Sequence, residues 1–274
     1  MRTLYVTDLD GTLLRSDETI SEYSKQVING LAGQGILFSY ATARSYVTSV
    51  KVTRGLTARI PLIVYNGAFV IDNVSGRILL SNYFGPEGRE LLADLLSKKI
   101  FPIVYAMVDG VEHFSYVKGR CSKEMLEFLS TRRGDRRERP VNRAEELFEG
   151  DLFYITCIDA EEKLEPLFHQ HKDGYHTVYQ RDLYTHAQWL EFMPLSTSKS
   201  NAIQRLQAFL KCDKLVVFGD GRNDIDMFQM ADECYAVNNA VDELKQMATA
   251  VIGSNDEDGV ARWLSEHAEG ICGQ

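Results

Sequence analysis

Two aspartates one residue apart, Asp8 and Asp10, close an apolar run (Leu4-Tyr5-Val6) and open a turn, Gly11-Thr12-Leu13-Leu14. Side chains alternate along a strand, so both carboxylates point the same way if the strand stays regular to its end. Open α/β sheets bind ligands at the carboxyl ends of their strands. There such a pair can hold a divalent cation, one carboxylate attacking an electrophile while the other moves a proton. Taken alone, D-x-D-G is equally an acidic turn, because Asp and Gly are common turn formers. A second acidic loop, Gly219-Asp220-Gly221-Arg222-Asn223-Asp224, follows another apolar strand far downstream. Carboxylate oxygens at a strand end suit Mg²⁺, a hard cation that shares its coordination sphere with water and phosphate. Phosphoryl transfer rests on positioning and charge stabilisation, and two further residues supply what it needs. Thr42, after Phe38-Ser39-Tyr40-Ala41, offers a hydroxyl, with the Ala43 and Arg44 amides at an expected helix start as anion donors. Lys199, in Ser196-Thr197-Ser198-Lys199-Ser200, is a fixed cation just ahead of a helix. Singly, Thr42 reads as a helix cap and Lys199 as a surface lysine.

The elements that must position these residues alternate. Strands are expected at 2–7, 36–41 and 61–65, separated by helices at 21–32 and 44–53, with a hairpin over 69–80. The same rhythm returns near the C-terminus: strands at 214–218, 234–237 and 250–252, with helices at 201–210, 224–230 and 241–247 and a last helix through Trp263. Short apolar strands alternating with helices describe a doubly wound parallel α/β sheet. The stretch 84–190 differs. Runs 101–108 and 111–117 meet at Asp109-Gly110, a hairpin signal, and helices near 122–130 and 161–171 alternate with strands at 152–158 and 176–180. This is an α+β insertion, giving a core of 1–83 with 191–274 and an inserted domain of 84–190. The charge run Arg132-Arg133-Gly134-Asp135-Arg136-Arg137-Glu138-Arg139 could attract a phosphate-bearing substrate, but a solvated loop, the usual fate of a charge run, is the favoured reading.

At 274 residues the chain can bury a large core, and its 45% hydrophobic and 25% charged composition is that of a water-soluble protein. A formal net charge of -9 argues against nucleic acid or an anionic membrane as the main partner, since both demand a basic footprint. Five scattered cysteines without a C-x-x-C fit a reducing compartment. No signal peptide and no apolar run of membrane-spanning length is read, so a cytoplasmic location is expected. His169, His171 and His176 lack companion ligands at metal-binding spacing and are taken as scattered surface residues.

Asp8-Leu9-Asp10-Gly11-Thr12-Leu13, Thr42, Lys199 and Gly219-Asp220-Gly221-Arg222-Asn223-Asp224 resemble, in order and spacing, the four motifs of the haloacid dehalogenase superfamily. The insertion resembles the C2-type cap of Cof-like phosphatases, subfamily IIB, and Asn66-Gly67-Ala68 and Asn239-Ala240 fit the same group. The resemblance implies a Rossmann-like core with an α+β cap that selects a small phosphate ester. It also implies roles. Asp8 is the nucleophile that forms an aspartyl-phosphate, and Asp10 is general acid and then base. Asp8, the Asp10 carbonyl, Asp220 and Asp224 (directly or through water) surround Mg²⁺. Thr42, Ala43, Arg44 and Lys199 hold the phosphoryl group, and Asn223 contacts phosphate or orients its neighbours. Sugar phosphates, or phosphorylated cofactors such as pyridoxal phosphate or FMN, are the expected substrates, with Tyr105, His113, Arg120 and Tyr184 as cap candidates. Ala43 stands where Cof-like relatives usually carry glycine, which a positive φ would make uncomfortable. A phosphomutase shares both aspartates, but only about thirty residues separate Asp10 from Thr42, too few for the small helical cap of such mutases. A catalytically retired phosphate binder is the alternative of another class.

Overall fold

The structure is a computed structural model and describes residues 2–181 and 187–268. Its contacts divide the chain into two compact units, Met1–Ser81 with Ser198–Gln274, and Asn82–Thr197.

In chain order the first unit begins with β1 (Thr3–Asp8), α1 (Glu22–Gly33), β2 (Leu37–Ala41), α2 (Tyr46–Val52), β3 (Pro61–Val64), β4 (Phe69–Asp72) and β5 (Ile78–Ser81). The second unit comprises α3 (Pro86–Ser97), β6 (Ile103–Val108), β7 (Val111–Val117), α4 (Lys123–Ser130), β8 (Glu138–Val141), β9 (Asp151–Asp159), α5 (Glu161–His171), β10 (His176–Arg181) and β11 (Gln188–Met193). The chain then completes the first unit with α6 (Lys199–Leu210), β12 (Lys214–Gly219), α7 (Ile225–Met230), β13 (Glu233–Val237), α8 (Asp242–Met247), β14 (Ala250–Ile252) and α9 (Gly259–His267).

Among the described residues, the first unit forms one sheet in the order β14-β13-β12-β1-β2-β3-β4-β5. It is parallel from β14 to β3 and ends in the antiparallel β4 and β5. Continuous apolar strands such as Leu215-Val216-Val217-Phe218 are what a sheet buried on both faces requires. Trp263 of α9 packs its ring against Phe218 and Tyr235 from one side. Register fixes the site: Thr7 lies beside Phe218, and Asp8 beside Ala41. The loops after β1, β2 and β12 therefore emerge at one carboxyl edge.

The second unit is a sheet in the order β10-β11-β9-β6-β7-β8. Leu91, Leu92 and Leu95 of α3 and Leu164 and Leu167 of α5 share a core with sheet residues Val104, Ile155 and Phe192. On the other face Met125 and Leu129 of α4 pack with Ile103, Phe114 and Ile158. Asp109 (φ 51) and Gly110 (φ 77) turn the β6–β7 hairpin as their sequence requires.

The structure departs from the sequence expectations in three places. The insertion was placed at 84–190, but β11 pairs with both β9 and β10, so the strand belongs to the inserted sheet and the unit extends to Thr197. Helix α3, opened by Pro86 in its first turn, lies where no helix was read. The arginine-rich run is not simply a solvated loop. Arg137 is buried, pairing with Glu112 at 2.7 Å and Asp135 at 2.6 Å, while β8 carries Arg139 to Glu149.

Candidate active site

β1 ends on Asp8, a residue that is only 4% exposed. The chain then makes one tight loop, closed by the Leu14 N–H donating to the Leu9 carbonyl at 2.8 Å. Gly11 takes φ +77 in this loop, and a Cβ there would stand 2.5 Å from Asp220 Oδ2. Glycine thus supplies the left-handed backbone and makes room for the second acidic loop. Thr12, fully buried, donates its hydroxyl to Asp220 Oδ1 at 2.8 Å. Asn239 Nδ2 donates to the Gly11 carbonyl at 2.7 Å, and its Oδ1 accepts the Asn255 N–H at 3.0 Å.

Asp224 is fully buried and closes its own loop, its Oδ2 accepting the N–H groups of Asp220 and Gly221 at 3.1 Å each. Its Oδ1 accepts from Lys199 Nζ at 2.8 Å, and the same ammonium donates to Asp8 Oδ1. Lys199 was expected just ahead of a helix. It is the first residue of α6, with Ser198 as the cap, its hydroxyl accepting the Asn201 N–H at 3.0 Å. Gly67, at φ +102, lies against the Ser198 carbonyl so closely that any Cβ would overlap it. The Asn66-Gly67 turn thereby admits the N-terminus of α6 to the sheet edge.

Asp8, Asp220 and Asp224 each offer one carboxylate oxygen to a common site, and these three oxygens lie within 4.8 Å of one another. Burial pushes Asp8 well above the ordinary carboxylate range; Lys199 opposes this, and the charges of Asp224 and Asp220 add to it. Burial also raises Asp220, with the Thr12 hydroxyl opposing and Asp224 adding to the rise. For Lys199 burial disfavours the charge, but Asp8 and Asp224 together outweigh it and its pKa is raised. Three crowded carboxylates face one ammonium, so the pocket retains negative charge on hard oxygen donors. That donor set fits Mg²⁺.

Asp10 is not among these side chains. The strand stops at Asp8 and Asp10 already belongs to the turn, so the two carboxylates do not share an outlook. The Asp10 side chain, 47% exposed, accepts from Arg44 Nε at 2.9 and 3.0 Å and from Nη2 at 2.6 Å; Arg44 Nη2 also reaches Glu18 at 2.9 Å. Thr42 is buried at the same sheet edge, its N–H on the Ile63 carbonyl at 3.0 Å. Its hydroxyl accepts the Arg44 N–H at 3.1 Å. The helix start expected at Ala43 and Arg44 lies further on, because Ser45 is the cap of α2, accepting the Thr48 N–H at 3.2 Å. Ala43 is exposed and is not among the residues at positive φ, so alanine carries no backbone strain there. Asn223 is exposed, its Oδ1 turned over Gly221.

Of the other candidates, Tyr105 packs its ring near Phe114 and Tyr154, His113 Nδ1 lies 3.2 Å from the Arg137 carbonyl, and Arg120 sits over Phe101; Tyr184 lies outside the described residues. His171 is tied to Asp94 at 2.9 Å. Two positioning residues carried no assigned role, Thr12 and Asn239. Thr12 lies within the first motif, where its spacing could have marked it. Asn239 reaches the loop only through the fold.

A family model for haloacid dehalogenase-like hydrolases matches residues 5–264. The chain belongs to that family. It is 29% identical to 5-amino-6-(5-phospho-D-ribitylamino)uracil phosphatase YwtE of Bacillus subtilis (strain 168), over 96% of this chain and 97% of the relative. A crystal structure from Thermotoga maritima, TM0651, superposes with a TM-score of 0.79 at 25% identity, covering 98% of both chains. The subclass IIB sugar phosphatase BT4131 shares the fold with a TM-score of 0.71 at 18% identity, covering 97% of this chain and 98% of its own. The protein is a phosphatase of the haloacid dehalogenase type.

Proposed function

We propose that this phosphatase hydrolyses small phosphomonoesters with Mg²⁺, through a phosphoryl group carried on Asp8. The supporting observation is a buried Asp8 joined by Lys199 to Asp224, with Asp220 alongside. A carboxylate attacking a phosphate monoester brings two anions together, and their repulsion is severe in a dry pocket. Lys199 offsets part of it. Asp8, Asp220, Asp224 and the Asp10 carbonyl would hold Mg²⁺, which would supply the remaining positive charge.

Asp8 Oδ attacks phosphorus and the bond to the ester oxygen breaks, Asp10 giving that oxygen its proton so that a neutral alcohol leaves. Asp10, now a carboxylate, takes a proton from water as the water attacks the aspartyl-phosphate. Phosphate departs and Asp8 is restored. The Thr42 hydroxyl, which accepts the Arg44 N–H and keeps its own proton to donate, binds the transferring group together with the Ala43 amide, and Asn223 steadies the second acidic loop. The ester is a sugar phosphate or a phosphorylated cofactor of similar size, such as pyridoxal phosphate or FMN. The activity in YwtE's name, on a phosphorylated ribityl compound, supports this class. The protein would then work in the cytoplasm on a soluble metabolite.

The test is phosphate release from a panel of metabolite monoesters, with and without Mg²⁺, by wild type and Asp8→Asn. Release that needs Mg²⁺ and vanishes in the variant is expected. Full turnover by Asp8→Asn overturns the covalent route, and phosphate binding without any release supports a retired binder. Transfer of the phosphate to another position of the same molecule would mark a mutase.

A further inference from the structure

The turn that follows the first aspartate pair does more than lead into α1. Within it the Glu18 N–H donates to the Arg15 carbonyl, and the Arg15 N–H to the Thr19 carbonyl, both at 2.9 Å. Asp17 Oδ1 accepts the Thr19 N–H at 3.0 Å and its hydroxyl at 2.6 Å. The turn is also pinned from outside. Ser16 bonds Asp256 through its N–H at 2.8 Å and its hydroxyl at 2.7 Å, and Arg15 pairs with the buried Asp258 at 2.7 Å. In this frame Glu18 is held at φ 59, a left-handed backbone that a non-glycine residue seldom takes. From there its carboxylate reaches the Arg44 guanidinium, which grips Asp10 through Nε and Nη2. The three charged groups form a chain from a rigid turn to the residue that handles the proton.

We propose that Glu18 and Arg44 are positioning residues for Asp10, Glu18 setting the orientation of Arg44 and Arg44 that of the Asp10 carboxylate. The proposal rests on the reading of Asp10 as acid and base. Arginine suits the task, because its planar fork fixes direction as well as distance, where lysine supplies a point charge. Glu18 touches no reacting atom, and the surface ion pair has little worth for stability. Its effect must therefore appear in proton transfer to the leaving group. A p-nitrophenolate leaves without help, whereas a sugar or alkyl alkoxide needs the proton during bond breaking.

The experiment compares kcat/KM, which reports steps up to phosphoenzyme formation, for p-nitrophenyl phosphate and for an alkyl or sugar phosphate that wild type hydrolyses. Glu18→Ala should lower the alkyl ester roughly tenfold more than the aryl ester, and Glu18→Gln, which still offers an acceptor to Arg44, should recover part of that difference. Arg44→Lys should show a larger split of the same sign. Equal losses on both esters, or none, in Glu18→Ala overturn the proposal while leaving the phosphatase reading intact. That reading fails separately, if Asp8→Asn keeps its turnover.

Discussion

Lys199 sits between two carboxylates that are both out of reach of water, Asp8 at 4% exposure and Asp224 at 0%. Removing one partner of a buried ion pair leaves uncompensated charge and commonly costs about 3–5 kcal/mol. Lys199→Met should lower the urea stability of the metal-free protein by about that much, and Mg²⁺ should restore part of it. A loss below about 1 kcal/mol would mean that water or proton uptake already satisfies the two acids. At this scale the sequence was most informative about residues that end strands. Asp8, Asp220 and Asp224 could be read because strand, turn and acid follow one another within a few residues. The engagement of Asp10 by Arg44 could not, because it depends on where the turn after Asp8 aims a side chain and on an arginine thirty-four residues away. Nor could Ser45 be preferred to Thr42 as the cap of α2 without seeing that the Thr42 N–H and carbonyl are both claimed by β3 and the turn after it.

Among the elements, the alternating strands and helices of the core were readable because each has its own period and its own stop signal. α1, for instance, opens on Ser21 and closes at Gly33. The inserted unit was harder. β8 draws two of its four residues from a charge run in which Arg137 pairs with Glu112 and Asp135 and Arg139 with Glu149; Glu112 and Glu149 lie outside the run, where sequence distance hides them. The same sheet carries a titration of its own. Glu191 on β11 stands in register with Thr156 of β9, and burial pushes its carboxyl up to about 7 despite hydroxyl donors from Tyr154 and Thr156. The folded state therefore keeps a proton, between the ordinary 4.5 and about 7, that the unfolded chain has released. Stability should fall as pH rises through that window and change no further from this group above it. Urea titrations at several pH values check this, with Glu191→Gln expected to flatten the slope. An unchanged slope in that variant would assign the pH dependence elsewhere.

For the whole molecule, the proposed Mg²⁺ site on the acidic trio would make folding and cation binding one equilibrium. A ligand that binds only the folded state stabilises it by about 2.7 kcal/mol at a hundred times its Kd. Mg²⁺ should raise the melting temperature of wild type in a concentration-dependent way. The shift should be lost in Asp220→Asn, whose side chain lines the same pocket, whereas the ion pairs of Lys199 run to Asp8 and Asp224. An equal shift in that variant would place the cation at another site.

The termini of the inserted unit carry a consequence of another kind. Asn82 Nδ2 donates to the hydroxyls of Ser196 at 3.0 Å and Thr197 at 2.7 Å, so the first and last residues of that unit are stapled to each other. In the first unit, Arg205 of α6 clasps the Ser81 carbonyl at 3.1 Å with both terminal nitrogens, holding the point of departure beside the helix of return. A segment that leaves and comes back through one doorway behaves as a cassette. A short bridge could replace it without asking the parallel sheet to open, and a differently shaped insert could be spliced at the same two peptide bonds while Asp8, Lys199 and the acidic loop kept their places.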